Sequence, residues 1–136
     1  MTVSGKVALI TGAGSGIGKA TAEHMHEAGA LVVAGIIAEE QHCPTAGYVQ
    51  RILDVRSQSQ WDDAISECRN RFGGIDILVN NAGILIEGNA EQTSDADWDL
   101  IFDINLKGAF RGCRTVIPEM QRRGGGAIIN LASIDA

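Results

Sequence analysis

The chain has 136 residues, a length that fits one domain, and its 11 Lys and Arg against 17 Asp and Glu give a formal net charge of −6. That acidic balance excludes a nucleic acid or an anionic membrane surface as the expected partner, since both require a basic face. Hydrophobic residues at 45% and charged residues at 21% exclude general disorder, and the 17 glycines show no Gly-X-Y period, which excludes collagen.

In chain order, short aliphatic runs alternate with helical stretches, the signature of βαβ units and a parallel sheet. The first run is Lys6 to Thr11, followed by a glycine loop and a helix from Gly16 to about Ala28. On that helix Ile17, Ala20, Thr21, His24 and Ala28 share one face, and Gly29 supplies the stop. The second strand starts at Leu31 and reaches Ala34 or Ile36 to Ile37. The crossover from Ala38 to Gly47 contains Pro44 and is too cramped for more than one helical turn. The third strand runs from Tyr48 to Leu53 and ends at Asp54-Val55.

Ser57 reads as an N-cap, and Trp61, Ile65, Cys68 and Phe72 follow at helical spacing as a buried stripe that Gly73-Gly74 stops. The fourth strand, Ile75 to Val79, runs into Asn80-Asn81-Ala82-Gly83. Ser94-x-x-Asp97 resembles a capping box. The helical region from Asp95 to Arg123 contains Asn105, Gly108 and Pro118, so a broken or kinked helix is predicted rather than a straight rod. Ala127 to Leu131 makes a fifth strand. The expected fold is a doubly wound parallel α/β sheet of Rossmann type, with five strands in one nucleotide-binding domain over residues 1–136.

Cys43, Cys68 and Cys113 form no C-x-x-C pair, which leaves reduced thiols as the reading. His24 and His26 are two apart and fall on different helix faces, so no metal site is expected. The N-terminus shows no basic segment leading into a long apolar stretch, so cytoplasm is the default location.

The chemistry concentrates in Thr11-Gly12-Ala13-Gly14-Ser15-Gly16-Ile17-Gly18. Glycines there let a backbone turn tightly and approach a pyrophosphate, while the following helix offers unpaired N–H groups and a partial positive charge. Ser15 can add a hydroxyl donor. The spacing is not GxGxxG but Thr-Gly-x-x-x-Gly-x-Gly, carried by Gly12, Gly16 and Gly18. With Asp54-Val55, Asn80-Asn81-Ala82-Gly83, Asn105 within Ile104-Asn105-Leu106-x-Gly108, and Asn130-Leu131-Ala132-Ser133, this loop resembles the plain form of the short-chain dehydrogenase/reductase family from Val3 to Ser133.

The resemblance implies an oxidoreductase that moves a hydride between a nicotinamide cofactor and a hydroxyl or carbonyl substrate. It implies that Gly12, Ser15, Gly16, Ile17 and Gly18 bind the cofactor, and that Asp54 holds the adenine amino group with Val55 against the ring. Asn81, Ala82 and Gly83 would pass beside the ribose. Ser133 would be the catalytic serine and Asn105 the catalytic asparagine, set at a helix kink. The family's Tyr-x-x-x-Lys pair is not in this sequence: the single tyrosine, Tyr48, has Ile52 four residues on. By resemblance that motif lies beyond Ala136, as would the surfaces of a homo-oligomer. A dinucleotide-binding regulator, or an inactive shortened product, is the alternative.

An acidic residue at the end of the second strand reads the ribose 2′-OH of NAD, and a basic one favours NADP. The two positions fall on Ile36 and Ile37, and neither is charged. The absence of a cation and the nearby Glu39 and Glu40 favour NAD, with NADP left open.

Overall fold

The computed structural model describes residues 2–133. Among them, β1 (Val7–Ile10), β2 (Leu31–Ile36), β3 (Val49–Ile52), β4 (Ile77–Asn80) and β5 (Ala127–Asn130) form one parallel sheet in the order β3-β2-β1-β4-β5. The helices are α1 (Gly16–Glu27), α2 (Gln58–Phe72), α3 (Asp95–Asn105) and α4 (Lys107–Arg122). The order places β1 centrally, and the chain reverses direction across the sheet after β3. That reversal opens a crevice at the carboxyl ends of β1 and β4, where doubly wound sheets bind ligands.

Period-2 alternation splits the sheet side chains between two cores. Leu9, Val33, Leu53, Leu78 and Val116 gather with Trp61, Ile65 and Cys68 on the side of α2 and α4. Ala8, Ile10, Val32, Ala34 and Val79 meet Ala22 of α1 on the other. The predicted stripe on α2 is observed: Trp61 and Cys68 are fully buried, and the Trp61 indole donates to the Val55 carbonyl at 3.1 Å. The small residues of the second core bring α1 close to the sheet.

The face expected of α1 is rotated. Gly18 and Ala22 are its buried positions, whereas Ile17 is 68% exposed. The cause is steric. An added Cβ on Gly18 would lie 2.3 Å from both the Gly12 carbonyl oxygen and Asn81 Nδ2, so the helix turns its glycine inward and its isoleucine out. The other boundaries shift by a residue or two, with β3 beginning at Val49 and β4 at Ile77.

The crossover holds a single 3-10 turn, Glu39–Gln41, as its length required. Ser57 caps α2 by accepting from Gln60 N at 3.4 Å, and Ser94 caps α3 by accepting from Asp97 N at 3.1 Å. The Asp95–Arg123 region is broken at Leu106, between α3 and α4. α3 buries none of its residues. Trp98 is therefore not core: it stacks on Phe102 with centroids 4.6 Å apart, and both are exposed. Cys113 of α4 is partly buried.

At the amino ends of the strands Asp76 ties three elements together. It accepts from Val7 N at 2.9 Å and from Arg123 Nε at 3.2 Å. Burial raises its pKa, but the Val7 N–H bond and the Arg123 guanidinium outweigh that and hold it below the ordinary 3.8. A carboxyl depressed in the folded state contributes stability above its unfolded pKa and loses it as the pH falls through the folded value. Asp76→Asn is expected to cost about 1 kcal/mol at pH 7 and to flatten the acid limb of the stability profile below pH 4. Urea midpoints measured from pH 7 down to pH 3 check both.

Candidate functional site

β1 ends at Ile10, and the next residue organises the crevice. Thr11 is 1% exposed, and its hydroxyl oxygen accepts from Asn81 N and Ala82 N, each at 3.0 Å. Asn81 answers from the end of β4: its Nδ2 donates to the carbonyls of Thr11 at 2.9 Å and Gly12 at 3.2 Å. Adjacent strand ends are thereby locked together beneath the glycine loop. Sequence reasoning placed Thr11 in the motif without giving it a role. Its signal was the hydroxyl immediately before the first glycine.

The loop runs against this platform with no room to spare. Gly12 has φ +63°, and a Cβ there would meet Ala82 Cα at 2.9 Å. Gly16 has φ +53° and faces open space. Between them the chain enters α1 through Ser15, whose side chain makes no capping bond, and the first turn of α1 carries no acidic residue. α2 and α3 close their N-termini with Ser57 and Ser94; α1 leaves its own uncapped. Unpaired first-turn N–H groups and the positive end of the helix dipole suit an anion, and the space beside Gly16 admits one. The residues present therefore fit a pyrophosphate.

Further along, β4 hands the chain to Ala82 and Gly83. Asn105, the last residue of α3, reaches this segment: its Oδ1 accepts from Ile84 N at 2.8 Å and its Nδ2 donates to Ile84 O at 2.9 Å. Asn105 sits at the helix break, exposed between exposed Phe102 and Leu106. Asn80 reaches across the carboxyl ends of β4 and β5, where its Nδ2 donates to Asn130 Oδ1 at 2.9 Å. Leu131 N donates to Asn80 O at 3.0 Å, so the clasp leads directly into Ala132 and Ser133, which lie exposed at this end of the sheet.

On the β3 side, Asp54 is held by Arg56, whose Nη2 approaches Asp54 Oδ2 at 2.6 Å. That guanidinium keeps the Asp54 carboxyl below the usual carboxylate range. An adenine amino group would share this carboxylate with Arg56. Val55 is 5% exposed and packs where a Cβ on Gly108 would stand, 2.6 Å from Val55 Cγ2. Ile36 is 2% exposed, so its side chain is buried at the end of β2, while Ile37 is 55% exposed. Tyr48 lies at the far edge beside His26. Burial and the Glu23 charge push its hydroxyl pKa up, the opposite of what a general base needs. Among the described residues no cluster of metal-ligating side chains occurs.

The chain matches the short chain dehydrogenase family over residues 6–136. It belongs to that family. It is 41% identical to a 3-alpha-(or 20-beta)-hydroxysteroid dehydrogenase of Mycobacterium tuberculosis, over 96% of this chain and 52% of that protein. It is 36% identical to a 3-oxoacyl-(acyl-carrier-protein) reductase, FabG, of Thermotoga maritima, over 98% of this chain and 58% of that protein. The crystal structure of gox2181 superposes with a TM-score of 0.91 at 31% identity, covering 98% of this chain and 55% of that one. The chain thus spans about half the length of the curated relatives it matches. Its sheet is the Rossmann-like sheet of the short chain dehydrogenases, and family and fold together point to a nicotinamide dinucleotide, NAD or NADP, as the ligand class. No helix among the described residues is long and apolar enough to cross a membrane.

Proposed function

We propose that this chain forms the coenzyme-binding part of an oxidoreductase that acts on a hydroxyl or carbonyl group, with NAD preferred over NADP. The observation that carries the reading is the uncapped N-terminus of α1, set on a glycine loop that Thr11 and Asn81 lock to the end of β4. The diphosphate would lie on the N–H groups of Gly16, Ile17 and Gly18, with the Ser15 hydroxyl at its side. Gly12 admits the close approach of the backbone. Asn81, Ala82 and Gly83 border the ribose, and Asp54 and Val55 border the adenine. Ile36 walls the groove at the end of β2. The coenzyme, when bound, supplies or accepts the hydride.

Ser133 would orient the substrate oxygen by a hydrogen bond from beyond β5. Asn105 fixes Ile84 and the helix break, which positions the backbone on the substrate side of Gly83. The Tyr-x-x-x-Lys pair of the family is not among these residues. The relatives named above differ in the substrates their names give, a hydroxysteroid and a 3-oxoacyl-(acyl-carrier-protein), and the Ile84–Thr93 loop has no chemistry that selects between them. A small-molecule alcohol or carbonyl is as far as the site goes. We place the protein in the cytoplasm as a homo-oligomer in its complete form.

Calorimetry and thermal melts of the chain with NAD test the reading. At about a hundred times the dissociation constant, NAD should stabilise the fold by about 2.7 kcal/mol. A folded chain that shows neither heat nor melting shift at millimolar NAD or NADP overturns it. Binding by the full-length protein without turnover would favour a dinucleotide-sensing regulator instead.

A further inference from the structure

The polar group facing the glycine loop across the end of β2 does not come from β2. It is Gln41, the last residue of the 3-10 turn. A Cβ on Gly14 would lie 2.3 Å from Gln41 Cδ and Oε1 and 2.8 Å from Nε2, so the carboxamide lies directly over the Gly14 α-carbon. Only a residue without a side chain admits it there. Its orientation is fixed because Ile37 N donates to Gln41 Oε1 at 2.9 Å. The two Nε2 hydrogens are left as donors at the mouth of the loop, with no protein acceptor among the described residues.

The turn itself is anchored. Gln50, 9% exposed on β3, donates through Nε2 to the Cys43 carbonyl at 2.7 Å and accepts from Cys43 N at 2.9 Å. This clasp fixes the crossover two residues beyond Gln41.

We propose that Gln41 is the residue of this chain that reads the adenosine ribose, and that its neutral carboxamide keeps the preference for NAD over NADP a modest one. This rests on the dinucleotide reading above. In doubly wound folds the group at the end of the second strand meets the ribose 2′ position. Here Ile36 is buried and the Ile37 N–H is already engaged, so the Gln41 amide is the group that remains. A carboxamide N–H donates equally to a hydroxyl or to a phosphate oxygen. It neither repels a 2′-phosphate, as a carboxylate would, nor neutralises it. Glu39 and Glu40 are exposed, so their repulsion is screened.

The test is calorimetric affinity for NAD and for NADP, with coenzyme-induced melting shifts, in the parent chain and in Gln41→Glu and Gln41→Arg. Gln41→Glu retains an acceptor for Ile37 N and should raise the NAD to NADP affinity ratio about ten-fold or more. Gln41→Arg should lower it by a similar factor. Gln41→Ala should weaken both coenzymes by a few-fold. If the parent binds and the ratio moves less than two-fold in both charged variants, the proposal is overturned. If Gln41→Ala tightens both coenzymes, Gln41 obstructs the site rather than reading it, and the proposal is likewise overturned. If the parent is folded by circular dichroism and binds neither coenzyme, the dinucleotide reading itself fails and takes this inference with it.

Discussion

Gly18→Ala should abolish the coenzyme-induced melting shift and destabilise the chain by about 1–3 kcal/mol. The added methyl would meet the Gly12 carbonyl oxygen and Asn81 Nδ2 at 2.3 Å each. One of these is backbone at the bend itself, so relief requires α1 to move off the loop, and the first-turn N–H groups move with it. Gly5→Ala, before the amino end of β1 and away from the loop, is the control. It adds its methyl to open space and strains only the backbone at φ +73°, for about 1–2 kcal/mol. Melts with and without NAD should separate the two: Gly5→Ala keeps a coenzyme response that Gly18→Ala has lost. Equal responses would mean that the approach of α1 to Gly12 does not build the anion site.

Thr11→Val is the second large effect, expected at about 2–4 kcal/mol. Valine matches threonine in shape, so no cavity opens. What disappears is the hydroxyl oxygen that accepts from Asn81 N and Ala82 N at a position 1% exposed. Two partly buried N–H groups would then have no acceptor. Thr11→Ser keeps the acceptor and should recover most of the loss. Urea titration checks this, and the slope of the transition should not change, since the same surface is exposed on unfolding. A drop in midpoint shared equally by Thr11→Ser and Thr11→Val would assign the effect to packing of the methyl group.

The parts of this fold that could be read from sequence are those governed by local rules. Trp61, Ile65 and Cys68 repeat at helical spacing, and α2 buries them. Ser57 and Ser94 announce helix starts and make the capping bonds. Asn105 and Gly108 foretold a break, which falls at Leu106, while α4 runs on through Pro118. What could not be read depends on partners distant in the chain. The inward face of α1 is set by the collision a Cβ on Gly18 would suffer with Asn81, sixty-three positions away. Asn80 finds its partner on β5 rather than in its own turn. Phe102 and Leu106, on either side of Asn105, are exposed because no described element covers them. Within the candidate site, the glycine spacing pointed to the loop, but the placement of Gln41 over Gly14 depends on how the short crossover folds back.

The sheet order has a consequence for how the molecule loosens. Among the described residues β3 and β5 are the margins, each with a neighbour on one side, while β1 is bonded to β2 and β4. Fraying begins at margins, where backbone amides meet solvent with the least opening. Thr11 and Asn81 extend from β1 and β4, so the anion cradle stands on the interior of the sheet. The outer strands can exchange with water, or peel and re-anneal, while the bend that would hold the diphosphate stays assembled.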